Sequence, residues 1–383
     1  MTGPEACTIL SATCIFPTCH VLMIPMQKIP AFIILFLVIL ACLGFLAAES
    51  GSNPAIAGIF SRSPKAITPA ISSPSPYILF IEPDSGRAPI IDAIDSATRS
   101  INLTIYNLND KKIMAALENA SARGIAVRVI YDAGKDPESE VTDRNLPRMQ
   151  ELESHGVLTR PGPAVFAKTH QKTFTIDGKY SLIMTCNLKP DTFSSTRDFI
   201  VRTDNLTEVR EIGEVFDADW NNRTATYRVP TLVWSPDHAR ATILSLIEGA
   251  HSDITIYNEN LEDPLVVENL SQAAKRGVLV RVLIPDPAGG GKKRLKAAEN
   301  LADSGVAIRQ GTSYYMHAKV LIADNGTGSQ RAFVGSQNFE TQHLDKDREL
   351  GLLLVDPAII SGIQATFEED WSLRSGPIPF SPQ

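Results

Sequence analysis

The hydrophobic pattern divides the chain into three stretches. Residues 29–48 (IPAFIILFLVILACLGFLAA) form one unbroken apolar run, with Lys28 before it and Glu49 after it. A run of ~20 apolar residues is about long enough to cross a bilayer as a helix. It reads as an uncleaved anchor, or as the apolar core of a signal peptide cut after Ala47-Ala48, and its length favours the anchor. Residues 1–28 read as an amino-terminal extension. Residues 49–76 are rich in Ser, Pro, Ala and Gly, lack apolar periodicity and read as a flexible linker. From there on, short apolar runs alternate with amphipathic ones. The spacing predicts a strand at 77–81, a helix at 88–98, a strand at 101–106, a helix at 111–122 and a strand at 125–131. Gly124, just after Ala122-Arg123, is a normal helix stop.

The pattern then recurs. SINLTIYN at 100–107 returns as SDITIYN at 252–258, and RGIAVRVIYD at 123–132 returns as RGVLVRVLIPD at 276–286. The offset is 151 residues at Tyr106 and Tyr257 and 153 at Arg123 and Arg276. That period is too long for a solenoid and fits two domain-sized copies of one unit, at 77–227 and 228–383. Strands alternating with helices predict the α/β class, with a mixed sheet in each of two similar sandwich lobes.

Composition narrows the possibilities. The 383 residues are 44% hydrophobic and 21% charged, which excludes a disordered chain, a multi-pass membrane protein and a collagen-like repeat. The net charge of -7 gives nucleic acid no general attraction. Cys7, Cys14, Cys19 and Cys42 lie before the repeats, so Cys186 has no partner within them.

Chemistry concentrates where the copies match best. His170-Gln-Lys172 is followed by Asp177, and His317-Ala-Lys319 by Asp324. Thr185-Cys186-Asn187 matches Ser336-Gln337-Asn338, and Asp198 matches Glu349. Residues two apart on a strand share a face, so each His can project beside its Lys. Face to face, the copies would supply two imidazoles around an anion pocket with two ammonium groups. That set suits phosphoryl transfer. One neutral His attacks phosphorus, the other protonates the leaving alcohol, and Lys, Asn and hydroxyl donors hold the remaining oxygens. Asp198 and Glu349 are of the right type to fix the tautomer of each His through its second nitrogen.

The duplicated His-x-Lys-x4-Asp with its downstream Gly335-Ser336-x-Asn338 resembles the phospholipase D superfamily over roughly residues 77–375. The resemblance implies two lobes related by a pseudo-twofold, with one active site at their interface. It implies a phosphohistidine intermediate resolved by water or alcohol, and no metal or cofactor. The implied catalytic set is His170, His317, Lys172, Lys319, Asp177, Asp324, Asp198 and Glu349, with His170 the nucleophile and His317 the general acid. Asn187, Asn338, Thr185 and Ser336 would bind the substrate phosphate. The first copy departs by carrying Met184 where the second has Gly335, which adds bulk near the phosphate loop. The expected activity is that of a phosphoric diester hydrolase acting on phospholipid head groups, or of a transferase resembling cardiolipin synthase. A metal-independent nuclease is the alternative, with nucleic acid as a partner only in that case, and an inactive lipid- or phosphate-binding homologue is a second. The apolar run places the body outside the cytoplasm, membrane-anchored or secreted, and no protein partner is implied.

Overall fold

A computed structural model describes residues 75–134 and 140–380, without side chains for 140–144. The extension, the apolar run and nearly all of the linker lie outside these residues.

Seven strands of the first copy are β1 (Tyr77–Glu82), β2 (Ser100–Ile105), β3 (Ala126–Tyr131), β4 (Leu158–Pro161), β5 (Thr173–Ile176), β6 (Tyr180–Met184) and β7 (Thr196–Thr203). They lie in the order β1-β7-β6-β5-β2-β3-β4. The second copy has β8 (Leu232–Ser235), β9 (Asp253–Asn258), β10 (Leu279–Ile284), β11 (Ala307–Gly311), β12 (Tyr315–Met316), β13 (Lys319–Ala323), β14 (Arg331–Gly335), β15 (Glu349–Leu354) and β16 (Ser375–Pro377). Its sheet runs β16-β11-β10-β9-β13-β14-β15-β8, the same order with β16 added at one edge. In each sheet three neighbouring strands are parallel (β2, β3, β4 and β9, β10, β11) and, apart from a short parallel pair between β12 and β7, the other pairings are antiparallel.

Strand alternation shows how the lobes meet. In β7, Ile200 faces the first lobe's own core of outer helices, while Phe199 and Val201 enter a different cluster. In β14, Phe333 faces the second lobe's outer core, while Ala332 and Val334 enter that same different cluster. This third core holds Ile183 of one sheet with Trp234, Tyr257, Val320 and Leu350 of the other. Side chains on alternate sides of a strand thus divide between a private core and a shared one. Each large side chain fully buried there contributes roughly 1.5–3 kcal/mol, so the interface is cemented like a domain interior.

Helices α1 (Ala88–Asp95), α2 (Lys111–Ala122), α3 (Glu140–Ser154) and α4 (Leu206–Trp220) accompany the first sheet. Helices α5 (Ala239–Glu248), α6 (Pro264–Lys275), α7 (Lys292–Asp303), α8 (Thr341–Asp345) and α9 (Pro357–Leu373) accompany the second. The helix expected over 88–98 stops at Asp95, where the Ser96 amide turns back to the Asp92 carbonyl. Asp110 and Asp263 cap the equivalent helices α2 and α6 through their side chains.

Candidate active site

The segment before each His is paired with the opposite lobe. Thr169 bridges to Arg348, and the amides of His170 and Gln171 both donate to the Arg348 carbonyl, at 3.0 and 2.9 Å. On the other side, β12 pairs in parallel with β7, and the Ala318 amide donates to the Arg197 carbonyl at 3.0 Å. His170 and His317 themselves lie just ahead of β5 and β13 rather than within them.

The acids follow the same crossed plan. His170 Nδ1 is 2.8 Å from Glu349 Oε1 of the second lobe, and His317 Nδ1 is 2.8 Å from Asp198 Oδ1 of the first. Each carboxylate therefore fixes an imidazole from the other copy and turns its Nε2 away from that bond. Among the described residues His170 Nε2 has no hydrogen-bond partner. The two carboxylates are held by other groups as well. Asp198 accepts from the hydroxyls of Thr185 (2.6 Å) and Thr196 (2.8 Å). Glu349 Oε1 is shared with a third imidazole, His343 Nδ1, at 2.6 Å.

Burial lowers the proton affinity of His170 well below that of a free imidazole, outweighing the pull of Glu349. Burial alone would raise the Glu349 carboxyl, but the His170 and His343 imidazoles hold it below the usual range. Burial would lower His343, but its bond to Glu349 and the nearby Asp347 and Glu340 raise it instead. Within the trio, burial favours the neutral form of His170, which is the form that can attack, while the surrounding carboxylates favour the proton on His343. Donor atoms of these three residues lie within 4.8 Å of one another, and their mutual hydrogen bonds account for that closeness.

Lys172 is fully enclosed, and its ammonium donates to the His170 carbonyl at 2.6 Å. Desolvation, reinforced by Lys319 and opposed by Glu349, lowers it from 10.5 to about 7. Tyr106 covers both groups. Its ring packs edge-on to His170 with centroids 4.5 Å apart, and Lys172 Nζ is 5.4 Å from its centroid. The matching Tyr257 instead turns into the shared core and donates to Asp370 at 2.7 Å. A cleft of about 520 Å³ opens beside Tyr106, Asn187, Lys189, Glu259, Tyr315 and His317.

Several expected site residues serve elsewhere. Asp177 lies at the far end of β5 and accepts from the amides of Thr98, Arg99 and Ser100. Asp324 does the same for His251 and Ser252. Each ties the turn that leads into β2 or β9 to the end of β5 or β13, and neither enters the site, so their assignment to the catalytic set is corrected. Thr185 is likewise committed to Asp198 and to the Phe199 amide. Ser336 is committed to the backbone of Leu350. These hydroxyls shape the loops rather than face a phosphate. Met184 turns into the first lobe's private core, fully buried, and adds no bulk to the cleft. Gly335 is constrained differently. A Cβ there would stand 2.5 Å from Gln337 Oε1 and 2.6 Å from the Gly351 Cα, space that the first lobe fills with the Met184–Ile200 pair. Cys186 is buried, and desolvation pushes its thiol well up, so it is a packing residue.

The sequence reading missed Glu259. Its Oε2 accepts from Lys319 at 3.0 Å and from Asn338 Nδ2 at 3.2 Å, and lies 3.5 Å from His317 Nε2. Its Oε1 accepts from the Tyr315 hydroxyl at 3.0 Å. Burial raises this carboxyl, but Lys319 and His317 outweigh it and hold the group well below its usual range. The change of repeat offset from 151 to 153 could have flagged it, since two residues, Glu259 and Asn260, are inserted there. His343 left no such mark.

Two imidazole–carboxylate units, crossed between two like mixed sheets around lysines and asparagines, define a class. Residues 90–220 and 243–371 match the family described as "Cardiolipin synthase, PLD-like domain", and the chain belongs to the phospholipase D superfamily. Over 286 residues it is 26% identical to the polyphosphate kinase of Escherichia coli (strain K12), a match covering 70% of this chain and 40% of that protein. It therefore spans well under half the length of that relative. Over 341 residues it is 25% identical to the cardiolipin synthase of Listeria innocua, covering 76% of this chain and 68% of that one. The crystal structure of phosphatidylserine synthase from Haemophilus influenzae Rd KW20 shares the fold, with a TM-score of 0.62 at 13% identity over 79% of this chain and 87% of that one.

Proposed function

We propose that the chain cleaves or transfers the head-group phosphodiester of a phospholipid through a phosphohistidine. The observation that carries this reading is the crossed pair of imidazoles, each fixed at Nδ1 by a carboxylate of the other lobe. His170 Nε2 attacks phosphorus with its lone pair, forming a P–N bond. The bond from phosphorus to the leaving alcohol breaks, and His317 Nε2 delivers the proton to that alcohol. Water or a second alcohol then attacks phosphorus, gives its proton to His317 and releases His170. Lys172, Lys319, Asn187 and Asn338 stabilise charge on the phosphoryl oxygens. The lipid substrate is supported by the family match and by similarity to a cardiolipin synthase over three-quarters of the chain. An inactive homologue is disfavoured because Met184 leaves the first half of the cleft clear.

The test is turnover of mixed phospholipids with an added alcohol, run beside oligonucleotides. Phosphatidic acid or a phosphatidyl-alcohol product is expected, whereas oligonucleotide cleavage without lipid turnover would move the reading to the nuclease. His170→Ala and His317→Ala should each lower kcat by ~10³-fold or more. With a diester carrying an acidic phenol as leaving group, His317→Ala should still label, building up an acid-labile phosphoenzyme that His170→Ala never forms. Label in His170→Ala but not in His317→Ala would reverse the two roles.

A further inference from the structure

The two halves of the cleft differ. Each lysine donates to the carbonyl of its own His, Lys172 to His170 and Lys319 to His317, and Asn187 and Asn338 each bury an unpartnered side-chain oxygen, but in the first half no carboxylate side chain bonds to Lys172 or Asn187 among the described residues. In the second, Lys319, Asn338 and His317 all converge on one atom, Glu259 Oε2, and Tyr315 holds the other carboxylate oxygen. Those three groups are the ones assigned above to a phosphate oxygen and the leaving alcohol. A carboxylate oxygen lying among them stands in for a phosphoryl oxygen.

Its origin is local. Leu108 and Leu261 make matching bridges, to Leu188 and Phe339, and Asp110 and Asp263 make matching caps, so the copies are in register again by that point. Glu259 and Asn260 are the extra residues between Asn258 and Leu261. Asn260 receives a hydrogen bond from Arg294 of α7, and Tyr315 donates to Glu259 from β12. The inserted loop is therefore pinned from both sides with its carboxylate largely enclosed, at 18% exposed.

We infer that Glu259 is a resident anion that selects substrates by charge, admitting a phosphodiester with one negative charge and opposing phosphomonoesters and polyphosphates. Two effects act together. The ligand must compete with Glu259 for Lys319 and Asn338. It also meets a fixed negative charge whose repulsion grows in proportion to its own charge. A singly charged diester meets this repulsion once, and a polyphosphate several times over. The selection separates the chain from the chemistry named for its polyphosphate kinase relatives, and it rests on the phosphoryl-transfer reading of the cleft.

The test is binding without turnover, by 31P-detected titration of the full chain with tripolyphosphate and with diethyl phosphate, a singly charged diester with a poor leaving group. In Glu259→Gln the affinity ratio of tripolyphosphate to diethyl phosphate should rise by about tenfold or more over the natural protein. Asp191→Asn is the control. Asp191 lines the same cleft, but its side chain is 48% exposed where that of Glu259 is 18%, so solvent screens its charge and removing it should move the ratio far less. Binding of both ligands with the ratio unmoved in Glu259→Gln, or moved equally in Asp191→Asn, overturns the charge selection and leaves the site reading intact. Binding of neither ligand by any of the proteins overturns both. Thermal melting of each variant reports whether the fold survives.

Discussion

At the scale of single residues, protonation decides what the cleft can do. Lys172 holds its proton below about pH 7 and loses it above, because burial has drawn it down from 10.5. His170 stays neutral well into acid, because burial has lowered it too. In the proposed reaction an anionic substrate needs the ammonium and the attack needs the neutral imidazole. The expected outcome is a kcat/KM that is high in mild acid and falls as pH rises through about 7, and Lys172→Met should abolish that basic limb along with most of the activity. A profile flat from pH 6 to 9 would contradict it. The sequence made the two His, two Lys and two Asn legible, because chemistry that needs identical groups in both copies leaves an identical spacing. It misassigned Asp177 and Asp324 for the same reason. A turn that must be tied in each copy recurs as faithfully as a catalytic group. Glu259 and His343 each occur in one copy only, so a reading built on recurrence passed over them.

At the scale of elements, a second recurrence went unread. Arg197 of β7 and Arg348, just before β15, precede the two tautomer-fixing acids and are fully buried. Arg197 reaches across to Asp370 of α9 through two hydrogen bonds, at 2.7 and 3.0 Å. Arg348 reaches across to Asp219 of α4 at 2.7 Å. Both pairs run between lobes, and both sit one residue from the site. Removing one member of a buried pair strands the other charge and typically costs about 3–5 kcal/mol. Asp219→Asn should cost that order of stability in chemical denaturation, and Asp370→Asn less, because Arg197 keeps Asp84 at 3.0 Å. Each should also lower activity among the molecules still folded, since the strand that carries Asp198 or Glu349 loses its anchor. A loss below about 1 kcal/mol would show the pairs to be incidental. Strand order was foreseeable only in part. Periodicity placed the elements, whereas the pairing of β12 with the far sheet rests on two residues and leaves no periodic signal.

At the scale of the whole molecule, the lobes share one core and one site. A separate first lobe would expose Ile183, Phe199 and Val201, and would hold His170 without Glu349. Residues 77–227 and 228–383 produced as two chains should each be inactive and prone to aggregate. Mixing them during refolding should restore turnover, and activity in either chain alone would overturn the crossed arrangement. Sequence predicted that two copies would meet. Which acid serves which imidazole required the structure, because the crossed and the uncrossed pairings have the same spacing.

That crossing constrains how the gene can change. A half borrowed from a cousin brings its own His but must accept the acid and the buried guanidinium of a host it never evolved beside. Domain shuffling, usually an easy route to novelty, is therefore closed to this chain unless both halves travel together. Variation is left to the cleft's unshared loops, where a two-residue insertion has already taken hold.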